Sequence, residues 1–415
     1  MRTRMMTMFF FIILFLLIDI YVFQAVLNVS KEWAPLWKQI FRYGYWLPTL
    51  IAITGLVWWA FSDPYKGTDY LRIYVIAGSA IIYFSKLFAV LFLLADDLQR
   101  SARWVAQKIF SSKESLPGKS ITRSEFLSQA ALVASAVPIG LSVYGILTGA
   151  HDYRLKKITI PLPYLPPSFD GLRIGQISDI HSGSFWNKTA VKGGVKMLMD
   201  EKPDLIFFTG DLVNNESSEV RDYISIFDKV KAPLGVFSVT GNHDYGDYRQ
   251  WASAELKRKN FSDLVEAHRL LGYDLLMNEN RIIKQNGDTL AIIGIENWGA
   301  GRFSKYGKLD QAYRGAEEAS TKILLSHDPT SWDAIIRPAY QDIDLTLSGH
   351  THGFQFGVET EYIKWSPCQY MYKQWAGLYQ EGNQYLYVNR GYGYLGYPGR
   401  VGMPPEITIF ELKKV

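Results

Sequence analysis

Apolar positions are unevenly spread along the chain. Four stretches in the first 150 residues carry almost no charge: Met8 to Leu27, broken only by Asp19; Trp46 to Phe61; Ile73 to Ala95, broken only by Lys86; and Phe126 to Leu147. A bilayer core takes about 20 apolar residues as helix, so three of these can span it and the second is at the margin. The pattern predicts four membrane spans. Arg2 and Arg4 precede the first span and no small-residue cleavage site follows it, so it reads as a retained anchor. Residues 96–124 separate the third and fourth spans. From Asp96 to Phe110, Leu98, Trp104, Val105, Ile109 and Phe110 are set against Arg100, Arg103 and Lys108. That fits a helix lying at the lipid surface or a solvated linker.

After Tyr153 the period changes. Short β-rich runs end in turn or polar residues at Leu172–Ser178, Leu205–Thr209, Val236–Thr240, Leu290–Ile295, Ile323–Ser326 and Ile343–Ser348, with two more at Tyr385–Asn389 and Ile407–Glu411. Helix-like stretches such as Ala190–Glu201 and Ser217–Val230 lie between them. The chain therefore divides into a membrane anchor over residues 1–150 and an α/β domain over 151–415, a division that suits its 415 residues.

Charge adds orientation. The 96–124 loop holds Arg100, Arg103, Lys108, Lys113, Lys119 and Arg123, and the positive-inside bias keeps such a loop cytoplasmic. Four spans then set both termini and the α/β domain on the outer, periplasmic face of the cell membrane. With Lys31, Lys38 and Arg42 the inner set has nine basic residues against seven outside: Arg2, Arg4, Lys66, Arg72, Arg154, Lys156 and Lys157. Ser120 to Leu127 partly resembles a twin-arginine export segment, with one of the two arginines. The net charge of +4 comes without a basic, aromatic-interleaved stripe, so no nucleic-acid partner is expected. The single Cys368 excludes an intrachain disulfide or a thiolate metal cluster.

The chemistry sits where strands end. Asp179-Ile180-His181, Gly210-Asp211, Gly241-Asn242-His243-Asp244, His327 and Gly349-His350-Thr351-His352 each follow an apolar run, at the edge where open α/β sheets build their sites. Glycines 210, 241 and 349 are expected to let the backbone turn sharply into the ligand positions. Two aspartates, an asparagine and four histidines suit hard or borderline divalent ions. A bridging Asp211 would hold two of them about 3.5–4 Å apart, lowering the pKa of a shared water to near neutral and clamping phosphate oxygens for in-line attack. His243, with Asp244 beside it, is placed to protonate a leaving oxygen or stabilise developing charge. The other two histidines, His151 and His268, are expected at the surface. The glycine-rich run Gly391 to Gly396 imitates a dinucleotide fingerprint, but Pro398, Pro404 and Pro405 forbid the helix that must follow. It reads as a loop, with Arg390 and Arg400 candidates for meeting substrate phosphate or a plain surface turn. The aromatic group Trp365, Tyr370, Tyr372, Trp375 and Tyr379 fits core or rim packing, or a lipid-contacting surface.

This series resembles the calcineurin-like metallophosphoesterases over roughly residues 170–412, and Ser178 to Ser182, Gly349 to Gln355 and the apolar N-terminus look like the family's transmembrane bacterial branch. The resemblance implies a sandwich of two mixed sheets flanked by helices. It implies one divalent ion, manganese, iron or zinc, on Asp179, His181, Asp211 and His352. A second ion falls to Asp211, Asn242, His327 and His350, with His243 catalytic. Phe354 departs from the glycine usual in that branch. The implied activity is hydrolysis of a phosphoester, from a soluble or lipid-linked substrate, by a metal-bridging hydroxide. Two alternatives are a pyrophosphohydrolase acting on UDP-2,3-diacylglucosamine, which needs a cytoplasmic domain, and a scaffold without turnover.

Overall fold

A computed structural model describes residues 2–62, 70–110 and 123–415. Lys66, Lys113, Lys119 and residues 120–122 of the export-like segment lie outside the described residues. The chain divides into two compact units, Met1–Tyr144 and Gly145–Val415.

The first unit is helical: α1 (Arg2–Val29), α2 (Pro35–Gly44), α3 (Leu47–Phe61), α4 (Tyr70–Phe110) and α5 (Arg123–Leu147). Among the described residues, four helical segments are long and apolar enough to cross a membrane, over residues 3–29, 35–61, 74–106 and 125–151. The marginal stretch gains length from α2, which runs into α3 through a short break at Tyr45 and Trp46. The amphipathic stretch after Asp96 is a direct continuation of the third span, so α4 is one helix of 41 residues. The two charges that interrupt the first and third spans find each other. Asp19 is fully buried, forms an ion pair with Lys86, and accepts from Thr49 Oγ1 (2.7 Å), Tyr83 OH (2.7 Å) and Tyr45 OH (3.1 Å). Ionisable groups inside a membrane are costly unless paired and hydrogen-bonded in this way.

The second unit is a sandwich of two six-stranded mixed sheets. Its elements are β1 (Arg154–Leu162), β2 (Arg173–Ile177), α6 (Lys188–Asp200), β3 (Leu205–Phe208), α7 (Ile224–Phe227), β4 (Val236–Ser238), α8 (Ala254–Leu271), β5 (Asp274–Leu275), β6 (Glu279–Gln285), β7 (Asp288–Gly294), β8 (Thr321–Leu325), β9 (Leu345–Ser348), β10 (Val358–Glu359), β11 (Lys364–Trp365), β12 (Gly377–Glu381), β13 (Gln384–Val388) and β14 (Glu406–Lys414). One sheet runs β1-β14-β2-β3-β4-β5 and the other β12-β13-β9-β8-β7-β6; β10 and β11 form a separate hairpin.

Strand alternation sorts the side chains. Along β3, Leu205 and Phe207 enter the layer between the sheets, with Leu290, Ile323 and Leu345 from the facing sheet. Ile206 and Phe208 point the other way, under α6 and α8. A strand buried on both faces must read as an unbroken apolar run, as Leu-Ile-Phe-Phe does. Each such side chain contributes about 1.5–3 kcal/mol by leaving water. α6 starts where Asn187 Oδ1 accepts from Ala190 N (3.1 Å), and α8 starts where Ser253 Oγ accepts from Leu256 N (3.1 Å). α8 ends on Gly272 at φ +78°, the left-handed cap that glycine takes at least cost. The expectation that His268 lies at the surface is wrong: α8 buries it fully, and its Nδ1 lies 3.0 Å from Ser238 Oγ. His151 is also partly covered, its ring edge-on to Trp186.

Candidate metal centre

The parallel strands of both sheets end at one edge, and each motif occupies the loop beyond one of them. Asp179 and His181 follow β2, Asp211 follows β3, Asn242 and His243 follow β4, His327 follows β8, and His350 and His352 follow β9. Two groups of ligand atoms converge there. Asp179, His181 and His352 form one, and Asp211, His327 and His350 the other, each with its ligand atoms within 4.8 Å of one another. Asp211 Oδ2 lies between them, 3.5 Å from His181 Nε2 and 3.1 Å from His327 Nε2. Asn242 Oδ1 joins the second group at 2.8 Å from His350 Nδ1. All seven predicted ligands are therefore brought together.

Local backbone strain accompanies this. Asp179, His181, Asp211, His350 and His352 all have left-handed φ, between +47° and +72°. Such conformations disfavour non-glycine residues and persist where surrounding bonds over-determine them. Those bonds are present. Asp179 N donates to Gly210 O (2.9 Å), His181 N to Asp211 O (3.1 Å), and His350 N to Asp179 Oδ1 (2.9 Å). Asp244 is fully buried and gathers four backbone N–H groups: Asp211 (3.0 Å), Leu212 (2.8 Å), Val213 (3.3 Å) and Gly241 (2.8 Å). It ties the β3 and β4 loops together. The partner of the His243 ring is instead the Asn214 carbonyl, to which Nδ1 donates at 2.8 Å.

Of the three motif glycines, Gly210 turns as expected, at φ +98°. Gly349 serves close approach: a Cβ there would lie 2.0 Å from Ser178 Oγ and 2.1 Å from Asp179 Oδ2.

The residues present fit a pair of divalent ions. The carboxylates of Asp179 and Asp211 are buried and face imidazole nitrogens, and His181 Nε2 stands only 3.1 Å from His352 Nε2. Burial opposes ionisation of both aspartates, yet His352 and His327 beside Asp179, and above all His327 beside Asp211, keep both below the usual carboxyl range. Burial also opposes charge on His327, but Asp211 and Asp179 outweigh it and push that group up to about 10. Anionic carboxylates that draw positive charge this strongly suit a cation. Since Nδ1 of His327 donates to Thr209 O (2.7 Å), its Nε2 is the atom left to coordinate. Burial lowers His181 to about 3 and also lowers His243 and His350, which keeps these rings in the neutral form that ligands and bases require.

The centre opens into a pocket of about 430 Å³, whose lining includes Asp211, Asn242, His243 and His350 with an apolar wall of Phe303, Phe354, Tyr372, Leu395 and Tyr397. Phe354 has φ +52°, a conformation that favours glycine, the residue the resemblance leads one to expect there. Neither arginine of the 390–400 segment reaches the phosphate position expected for it. Arg390 is buried, paired with Glu406 and, at 2.7 Å, with Glu359. Arg400 is buried too, donating to the carbonyls of Arg390 (2.8 Å), Gly391 (3.1 Å) and Met403 (3.2 Å) and lying 3.2 Å from His352 Nδ1. Their role is to brace the loop behind His352. Sequence reasoning missed Tyr248, whose hydroxyl accepts from Asn242 Nδ2 at 2.8 Å and so turns Oδ1 inward, and Asp328, 3.6 Å from His350 Nε2. Asp328 follows a predicted ligand directly; Tyr248 and Phe303 carry no local signal.

This architecture, with its two clustered groups of ligand-type residues, is that of a metallophosphoesterase domain. Residues 172–354 match the family described as Calcineurin-like phosphoesterase, and residues 3–150 match the family described as Probable Calcineurin-like phosphoesterase, transmembrane domain. The Bos taurus "Transmembrane protein with metallophosphoesterase domain" is 31% identical over 302 residues, covering 70% of this chain and 64% of the bovine one. "Uncharacterized metallophosphoesterase YkuE" of Bacillus subtilis is 30% identical over 302 residues, covering 71% of this chain and 99% of the other. The match thus spans less than two thirds of the bovine relative's length. The chain belongs to the calcineurin-like metallophosphoesterases that carry a transmembrane domain, and it is an integral membrane protein.

Proposed function

We propose that this enzyme is a two-metal phosphoesterase of the cell membrane with its catalytic domain on the outer face. Asp179, His181, Asp211 and His352 hold one ion; Asp211, Asn242, His327 and His350 hold the other. The single observation that carries this is Asp211 Oδ2 standing within 3.5 Å of imidazoles from both groups. Two bound divalent ions supply charge to the phosphoryl oxygens and an activated water as nucleophile.

The chain's own residues do the rest. His243 is pinned through Nδ1 on Asn214 O, which leaves Nε2 for proton work: neutral at rest, it would take up the proton released by the attacking water and pass it to the leaving oxygen as the bond to phosphorus breaks. Asp244 acts as a positioning residue that sets Asp211 and Asn242 at one spacing. Tyr248 orients the Asn242 amide. Among the described residues lining the pocket none is Lys or Arg. A dianionic monoester therefore meets no side-chain cation beyond the metals, whereas a monoanionic diester needs none. The enzyme is expected to prefer diesters.

The test is turnover of a chromogenic aryl phosphate diester and monoester with manganese, in wild type, Asp211→Asn and His243→Ala. Diester hydrolysis lost in both variants supports the assignment. Activity retained in Asp211→Asn contradicts it.

A further inference from the structure

The last turn of the fourth span is built into the catalytic unit. Within that unit, Arg400 N donates to Gly145 O (3.1 Å), and a Cβ on Gly149 would lie 2.0 Å from Arg400 O. The next residue, Val401, pairs with the strip that follows His352: Val401 N donates to Gln355 O (2.8 Å), and Gly357 N donates to Val401 O (2.9 Å). One residue of backbone thus separates the end of a membrane-crossing helix from this strip.

The strip is apolar on its outer side. Gln355 and Gly357 are buried while Phe354, Phe356 and Val358 alternate outward. The β10–β11 hairpin extends it, with Val358 opposite Trp365 and the tip closed by Thr360 N donating to Ile363 O (2.8 Å). At the tip Tyr362 is 90% and Ile363 56% exposed, and in the following loop Tyr370 is 76% and Met371 71% exposed. Soluble proteins seldom leave so many large apolar side chains together in water. Ring contacts make the patch continuous with the catalytic pocket: Phe356 meets Trp365 at 6.5 Å, and Phe354 meets Tyr372 at 6.3 Å. Phe354 and Tyr372 are pocket wall.

We propose that the β10–β11 hairpin and the Tyr370–Met371 loop insert into the lipid–water interface where residues 145–147, the end of the fourth span that belongs to this unit, leave the membrane, with the bilayer itself as the occupant of this patch. Tyrosine and tryptophan with aliphatic neighbours are the residues that settle at headgroup depth. The patch also carries Glu359, Glu361, Lys364 and Lys373, two charges of each sign, so its contact is apolar insertion and not attraction to anionic lipid. Resting further on the phosphoesterase function proposed above, the route from hairpin to pocket names the substrate class: an amphipathic phosphoester whose apolar part stays in the membrane.

The full chain in phosphatidylcholine nanodiscs tests this. Cys368 is the only cysteine and is buried, so a spin label attaches selectively to Tyr362→Cys, or to Gln285→Cys at the end of edge strand β6 as a control. The label at 362 is expected to collide with oxygen more than with a water-soluble nickel chelate, and the label at 285 the reverse. Equal chelate access at both sites overturns lipid contact, whether or not the protein shows activity. A second arm compares Tyr362→Asp/Ile363→Asp with wild type. Hydrolysis of a vesicle-borne lipid phosphodiester should fall by roughly tenfold or more, the loss expected from about 1.4 kcal/mol of apolar insertion, while a soluble aryl diester is unaffected. An equal fall on both substrates overturns the substrate class.

Discussion

His243 and Asp244 are adjacent in sequence yet face different tasks. One lines the pocket, and the other spends its carboxylate on four backbone N–H groups. His243→Ala should lower kcat by roughly 10²–10⁴-fold, as for loss of a general acid or base, with metal content by elemental analysis unchanged. Asp244→Ala should do the opposite first: it strands buried donors that cost about 1–3 kcal/mol each when unsatisfied, so metal is lost before any kinetic effect can be isolated. His268 sets a pH dependence of stability. Burial holds its folded pKa to about 3, against about 6.5 for an open chain. Below pH 6.5 the unfolded chain takes up a proton that the folded one refuses. The stability that neutral His268 contributes is therefore complete above pH 6.5 and is lost as pH falls from there toward 3. Melting wild type and His268→Gln at pH 7.5 and 5.0 checks this: the wild type should lose more of its melting temperature on acidification.

The ligand loops work as elements because glycines let them touch. Gly349→Ala puts a methyl within 2.1 Å of Asp179 Oδ2; the expected outcome is a folded domain by circular dichroism that no longer retains two metal equivalents. In the helical unit the Asp19–Lys86 pair locks α1 to α4. Removing one partner of a buried pair costs more than removing both, so Lys86→Met should reduce the folded yield in detergent more than Asp19→Leu/Lys86→Met does. The pair's two members were visible in the sequence only as blemishes in apolar runs; their contact spans 67 residues and no local pattern encodes it. Doubly buried strands such as Leu205–Phe208 were legible because both faces demand apolar residues. Strand β1, the hairpin β10–β11 and helix α8 were not. The first two are short or half exposed, and α8 buries only Asn260, Leu264, Ala267, His268 and Leu271, a stripe too thin and too polar to stand out from Lys and Glu. The ligands were legible for a different reason: each sits at a strand end, where an apolar run stops at a metal-binding type. Arg390 and Arg400 misled because adjacency to a loop says nothing about which way a side chain turns: Arg390 turns toward Glu406 and Glu359, and Arg400 toward backbone carbonyls.

At the scale of the molecule, the proposal that four crossings and the basic 96–124 segment set the catalytic domain outside the cytoplasm has its own test. A C-terminal alkaline phosphatase fusion should be active and a green fluorescent protein fusion dark; the reverse would move the domain inward and fit a nucleotide-linked substrate. The central claim is that Asp211 joins two metal sites into one. Electron paramagnetic resonance of the protein loaded with two equivalents of manganese addresses it most directly. An exchange-coupled pair in wild type that gives way to isolated-ion signals in Asp211→Asn is the predicted result; isolated-ion signals in wild type at the same loading would contradict it.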